Sequence, residues 1–223
     1  MRDTIQQGIQ TLALRDAVAR AVVIVSAAAM VYLLGALWMS IAGRRRDQLT
    51  LATAARIVAL GILAYLSSKL LTGLVGDPRP YLVAHTRPLL PTARDNGFPS
   101  DHVLLAAALT ASLWWIDRRW MPAFALGTAL VMIGRLGIGA HHTLDVVGSV
   151  VIVTVTALVA GTIPLPRAWA DPGFPALRLA VDKIRHPNER RDSTAPAPAR
   201  APEPDTGHGP SPVRSTARSA EDD

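Results

Sequence analysis

The apolar residues of this chain are not spread as amphipathic stripes. They are gathered into runs close to the roughly 20 residues that a helix, rising about 1.5 Å per residue, needs to cross a bilayer core of about 30 Å. Five such runs can be drawn, over 21–42, 51–71, 100–116, 120–134 and 145–163. The fold expected is all-α, a polytopic membrane helical bundle of about five transmembrane helices. Half of the residues are hydrophobic and only 18% are charged, which excludes disordered and collagen-like chains. The absence of cysteine excludes disulfides, thiol catalysis and Cys-ligated zinc or iron–sulfur.

Charge and composition divide the chain further. Residues 1–20 mix Arg2, Arg15 and Arg20 with Ile5, Ile9, Leu12 and Leu14, as suits a helix lying on a membrane surface. The transmembrane part follows over 21–166, its first run too long and too basic at its flanks for a cleaved signal peptide. A basic juxtamembrane segment covers 167–186, and 187–223 is rich in Pro and Ala without apolar periodicity, which predicts a disordered tail. Residues 1–186 hold 18 Lys and Arg against 10 Asp and Glu, whereas the tail holds 5 against 7. With no aromatic-interleaved basic face, that excess reads as membrane topology and not as nucleic-acid binding. The positive-inside rule puts Arg44-Arg45-Arg46, Arg118-Arg119 and the 167–186 group in the cytoplasm together with the tail. Trp38, Trp114, Trp115 and Trp120 then sit at the inner ends of spans as an interfacial belt. The N-terminus and loops 76–99 and 135–144 fall on the extracytoplasmic side.

Both outer loops carry costly polar residues. The first and its flanks contain Asp77-Pro78-Arg79-Pro80 and Phe98-Pro99-Ser100-Asp101-His102, and the second contains Arg135 and His141-His142-Thr143-Leu144-Asp145. Arg and His near a bilayer face a polar site, so two such loops propose a pocket for an anion. His141 and Asp145 are one helical turn apart, which lets Asp145 accept a hydrogen bond from one ring nitrogen and leave the other unprotonated. An imidazole so prepared is a nucleophile or base. Ser100 stands at a helix N-cap, where free N–H groups favour phosphate, and His102 lies where it can donate a proton to a leaving oxygen. Arg79 and Arg135 supply forks that fit phosphate bidentately.

These segments resemble the three signatures of the type 2 phosphatidic acid phosphatase superfamily, the membrane lipid phosphatases. The first signature is Lys, six residues, Arg-Pro; Arg79-Pro80 match it, but Thr72 takes the lysine's place, with Lys69 one turn earlier as a substitute. The second is Pro-Ser-Gly-His, here Pro99-Ser100-Asp101-His102, with Asp101 similar to the branch that hydrolyses undecaprenyl diphosphate. The third is Ser-Arg, five residues, His, three residues, Asp; Arg135, His141 and Asp145 match in register and Gly134 replaces the serine. The resemblance implies that His141 attacks phosphorus to form a phosphohistidine, that Asp145 orients it, and that His102 protonates the departing lipid phosphate. Arg79, Ser100, Arg135, Lys69 and Asp101 form the implied phosphate-binding set, with no metal or cofactor. The implied substrate is a lipid diphosphate in the membrane, undecaprenyl diphosphate first, and no obligatory protein partner is expected.

Plainer accounts stand beside these. Taken alone, a His and an Asp four apart at a helix start form a local capping pair. His142 reads as a neighbour of the nucleophile, and His85, His186 and His208 read as solvated loop or tail residues. Arg87 and Arg94 read as solvated loop residues. Asp77 and Asp101 do not form a metal pair. Phosphatidate, phosphatidylglycerophosphate or another polyprenyl phosphate as substrate, and a lipid phosphotransferase as activity, remain the alternatives.

Overall fold

Side-chain caps mark where several helices begin. Asp3 accepts the Gln6 N–H at 3.0 Å to start α1 (Thr4–Arg15), and Asp16 accepts the Ala19 N–H at 2.6 Å to start α2 (Ala17–Ala28). Asp16 also donates its N–H to Leu12 O, so one residue closes α1 and opens α2. Ala29 offers no capping side chain, and α3 (Met30–Arg44) leaves it at a bend of 51° from α2. Thr50 caps α4 (Leu51–Leu74). A short α5 (Pro80–Val83) lies in the following loop, and then come α6 (Asp101–Ile116), a 3-10 turn (Arg118–Trp120), α7 (Met121–Gly137), α8 (Thr143–Thr162) and a last 3-10 turn (Arg167–Ala170). The computed structural model describes residues 3–84 and 87–170. Among the described residues there is no strand, only an isolated bridge between Pro78 and Asn96.

The helices form a bundle in which α7 lies along α2, α6 packs between α7 and α8, and α4 closes on the far side of α8. Phe124, Leu113, Val103, Val131 and Val146 fill one core, and Leu60, Ala64, Ala107, Val153 and Ala160 a second between α4, α6 and α8. The outer faces stay apolar: Val58, Ile62 and Leu66 on α4 and Val151, Val155 and Leu158 on α8 are exposed. Helices apolar on every side belong in hydrocarbon. Inside the bundle Thr110 pairs with Thr128 at 2.9 Å, and Trp38 Nε1–H donates to Ser112 Oγ at 2.7 Å.

Glycines set the closest approach. A Cβ at Gly127 would meet Leu34, and one at Gly134 would lie 2.5 Å from the Ala27 nitrogen and 2.7 Å from the Ser26 carbonyl carbon. The α7 backbone therefore rests directly on the α2 backbone, something only a residue without a side chain permits.

The boundaries expected from sequence hold to within a few residues for the later runs, but the first is two helices rather than one straight one. Three segments are long and apolar enough to cross a membrane, Leu51–Leu74, Arg118–Gly137 and Thr143–Thr162, or four if the bent α2–α3 pair counts as one. The 16-residue α6, about 24 Å long, is shorter than a full span. The amino-terminal helix is docked on protein: Gln6 and Ala13 are buried against α2 and α7, while Ile5, Leu12 and Leu14 face outward. At one end of the bundle Arg45 pairs with Asp117 at 2.6 Å. Loops 75–99 and 138–142 meet at the other, where Leu89 N–H donates to Ile138 O. The tail over 187–223, most of the 167–186 segment, His85, His186, His208 and Arg2 lie outside the described residues.

Candidate functional site

Loop 75–99 is pinned before it presents any chemistry. Asn96 Nδ2 donates to Thr72 O and Val75 O, the orphaned carbonyls at the end of α4, while Asn96 Oδ1 accepts the Asp77 N–H at 3.0 Å. Tyr81 Oη donates to Ala93 O at 2.7 Å, and Gly97 N–H to Asp77 O at 2.8 Å. The loop thereby holds Arg79 and the Gly97 carbonyl still. On the other side, Gly139 adopts φ +77°, the left-handed conformation that ends α7 and turns the chain toward Ala140 and His141.

His141 lies between these two loops, 2% exposed. Its Nδ1–H donates to Gly97 O at 2.9 Å. Arg79 Nη1 at 3.3 Å and Arg135 Nη2 at 3.2 Å both donate to Nε2. Two guanidinium donors on one ring nitrogen fix the tautomer: Nδ1 carries the proton and Nε2 the lone pair. Burial, then Arg135 and Arg79, pushes the His141 pKa down to about 3, so the ring is neutral.

Asp145 behaves differently from the sequence expectation. Its Oδ2 accepts the His142 N–H at 2.8 Å, capping α8, and stands 3.4 Å from His141 Nδ1. The nearer acceptor of the Nδ1 proton is the Gly97 carbonyl, which no side-chain motif could announce. Asp145 is fully buried, with one carboxyl oxygen on the α8 cap and the carboxyl group placed behind the imidazole.

Ser100 starts α6 without a side-chain cap bond, and its buried Oγ has no partner. Its N–H instead donates to Ser149 Oγ at 2.9 Å, and the Ser149 hydroxyl lies within hydrogen-bonding reach of Asp145 O and Ser100 O. Ser149 thus ties α6 to α8 beneath the site. His102, Arg79, Arg135, His141, Asp95 and Asp101 line one cavity of about 430 Å³, whose far wall is Ala27, Ala28 and Tyr32. Asp95 occupies part of it: its Oδ1 accepts Arg79 Nε–H at 3.0 Å and Nη2–H at 2.7 Å, and the guanidinium holds the carboxyl below the usual carboxylate range. A larger cavity of about 560 Å³ between α6, α7 and α8 is lined by apolar and threonine side chains and contains no titratable group.

Lys69 is not brought to the site. It is exposed on α4 with Nζ 5.4 Å from the Tyr65 ring centroid, because the buried face of that turn belongs to Ser68 and Thr72. Thr72, in the lysine's place, directs its hydroxyl to Ser68 O and Phe98 O and so supports the loop next to Gly97. Among the described residues, no group of three or more His, Asp or Glu is spaced to hold a metal ion.

The fold and site define a helical bundle with spans of membrane length and, at one end, an unprotonated imidazole nitrogen between two arginines, an arrangement able to take an anion. The chain belongs to the PAP2 superfamily, whose sequence profile matches residues 52–168. It is also 34% identical over 93 residues to the undecaprenyl-diphosphatase BcrC of Bacillus subtilis (strain 168), covering 41% of this chain and 48% of that protein. The match spans about half the length of that curated relative. No solved structure matches.

Proposed function

We propose that this protein is a membrane lipid phosphatase that hydrolyses undecaprenyl diphosphate to undecaprenyl phosphate and inorganic phosphate through a phosphohistidine at His141. The observation that carries the reading is His141 Nε2, a lone pair aimed between Arg79 and Arg135 in a cavity that His102 also lines. Phosphoryl transfer asks a protein mainly for position and for neutralised oxygen charge, and these groups supply both.

In the first step Nε2 forms a bond to the terminal phosphorus while the bridging P–O bond breaks. His102 gives its proton to the departing oxygen. The Gly97 carbonyl, holding Nδ1–H, and the Asp145 carboxylate behind the ring stabilise the positive charge the imidazole acquires. In the second step a water, losing a proton to His102, attacks phosphorus and breaks the P–N bond. The Arg79 and Arg135 forks, the free Ser100 hydroxyl and the α6 N-terminus hold the phosphoryl oxygens throughout.

Undecaprenyl diphosphate is preferred to other phospholipids because Asp101 follows Ser100 and because the B. subtilis relative is named for that substrate. The bundle crosses the membrane five times, counting α2–α3 and α6 each as a span. Arg44-Arg45-Arg46 and Arg118-Arg119 lie in the cytoplasm with the C-terminal tail, and the site faces outward. Such an enzyme recycles the cell-wall lipid carrier and confers tolerance to bacitracin.

Trapping a 32P adduct on the wild type and on His141→Ala and His102→Ala tests the chemistry. Acid-labile label that is absent only from His141→Ala supports it, and acid-stable label overturns it. Offering phosphatidate, phosphatidylglycerophosphate and undecaprenyl diphosphate in detergent ranks the substrates by phosphate release, and release that requires an added acceptor would make the protein a phosphotransferase.

A further inference from the structure

Behind His141 lies a carboxyl group that neither the signatures nor the proposed chemistry employs. Asp77 sits two residues before Arg79, and its backbone is held at both polar atoms: N–H to Asn96 Oδ1, and O from the N–H of Gly97, the residue whose carbonyl takes the His141 proton. Its side chain turns toward α8, where its carboxyl is within hydrogen-bonding reach of Asp145. The chain packs closely there: a Cβ on Gly97 would come within 3.0 Å of Asp145 Oδ2 and 3.1 Å of Asp77 O, and the Asp77 side chain is 21% exposed. Asp145 Oδ2 has the His142 N–H, but buried Asp145 Oδ1 has no N–H or hydroxyl donor. Of two carboxyl groups in contact, one of them fully buried, one holds its proton more tightly because like charges repel.

We propose that Asp77 is a positioning residue: as the carboxylic acid it donates a hydrogen bond to the Asp145 carboxylate, and this pair holds Asp145 behind the His141 ring. The inference rests on the reading of His141 as nucleophile. Asp77 is the natural carrier of the proton because burial, followed by the Asp145 carboxyl, raises its pKa to about 6. The charged groups around it are Asp145 from α8, His142 at the head of α8 with Nε2 3.8 Å from Asp77 Oδ1, Asp3 at the head of α1, and Arg79 in its own loop. Loss of the proton would set two carboxylates against each other, and Asp145 would move from its place beneath the imidazole. Asp77 does not line the phosphate cavity, so its effect falls on turnover and not on binding.

The experiment uses the full chain in detergent with undecaprenyl diphosphate, comparing wild type, Asp77→Asn and Asp77→Leu from pH 5 to 8. Leucine, with no donor, is expected to lower kcat about ten- to hundred-fold, the range for losing a hydrogen bond to a charged group, with KM within about two-fold. Asparagine supplies an N–H at every pH. It is expected to recover kcat to within about three-fold of the wild-type maximum and to abolish the wild-type decline above about pH 6. A leucine variant as fast as wild type, or an asparagine variant as slow as leucine, overturns the proposal. Infrared difference spectra of the same proteins supply a readout independent of turnover: the carbonyl band of a protonated carboxylic acid, present in wild type at pH 5, must vanish in Asp77→Asn. If the wild type releases no phosphate, the substrate reading has failed and this band alone decides for or against the acid–carboxylate pair.

Discussion

Restoring the serine that the family signature places at position 134 is expected to harm this protein. The Cβ of any residue there would meet backbone on α2, at 2.5 Å from Ala27 N, 2.7 Å from Ser26 C and 2.9 Å from Ala27 Cα. Backbone cannot rotate aside as a side chain can, so α2 would have to retreat by about 1 Å to regain ordinary contact. Overpacking of this kind costs about 1–3 kcal/mol, and contact with three main-chain atoms puts Gly134→Ser near the upper figure. At about 2–4 °C per kcal/mol for a chain of this size, the thermal midpoint should fall by about 6–12 °C. Because Ala27 and Ala28 wall the cavity and Arg135 is the next residue, phosphate release should fall too. Thermal unfolding of Gly134→Ser and Gly134→Ala by intrinsic fluorescence in detergent checks this, since alanine carries the Cβ without the hydroxyl. An unchanged midpoint with faster turnover in the serine variant would refute the packing argument.

Other outcomes follow from the same geometry. Ser149→Ala leaves the buried Ser100 N–H without an acceptor and should cost about 1–3 kcal/mol, read by thermal unfolding, together with a loss of turnover. Asp95→Asn weakens the internal competitor for the Arg79 fork, so inhibition by inorganic phosphate or vanadate should tighten about three- to ten-fold, given a mostly exposed carboxylate. His141 has a folded-state pKa of about 3, below its ordinary value of 6.5, so the unfolded chain binds the extra proton between those limits. Its contribution is therefore fully present above about pH 6.5 and is lost as pH falls toward 3; His141→Gln should flatten the acid side of a stability–pH curve, and an unchanged slope would contradict the assigned burial.

The spacing of polar residues in the sequence was enough to bring Arg79, His102, Arg135 and His141 to one cavity, because a helical register and two loops at one end of a bundle leave few other arrangements. The groups that complete the site were harder to read. Gly97 acts through its carbonyl, which has no residue signature. In the sequence Asp77 is a loop carboxylate without a metal partner, and its contact with Asp145 depends on the fold of the loop over 75–99. Ser149 gave a signal, four residues after Asp145 inside an apolar run, that goes unnoticed unless the turn below the site is examined. Lys69 failed for a rotational reason: three residues before Thr72 and next to Ser68, it is turned about 60° from the first and about 100° from the second, which leaves it on the exposed edge of the helix. Hydropathy drew 21–42 as a single run because alanines around Ala29 are as apolar as their neighbours, and nothing in a hydropathy plot marks a bend.

The tie between Asp3 and the Thr143 N–H and hydroxyl has a practical side. The first described residue is fastened to the helix that carries Asp145, beside the two loops that meet over His141. Any polypeptide fused ahead of Asp3 would emerge at that rim, where an affinity handle stands to shield the entrance or loosen the fastening. Handles for purification, and immobilisation for kinetic work, are better joined at the opposite terminus.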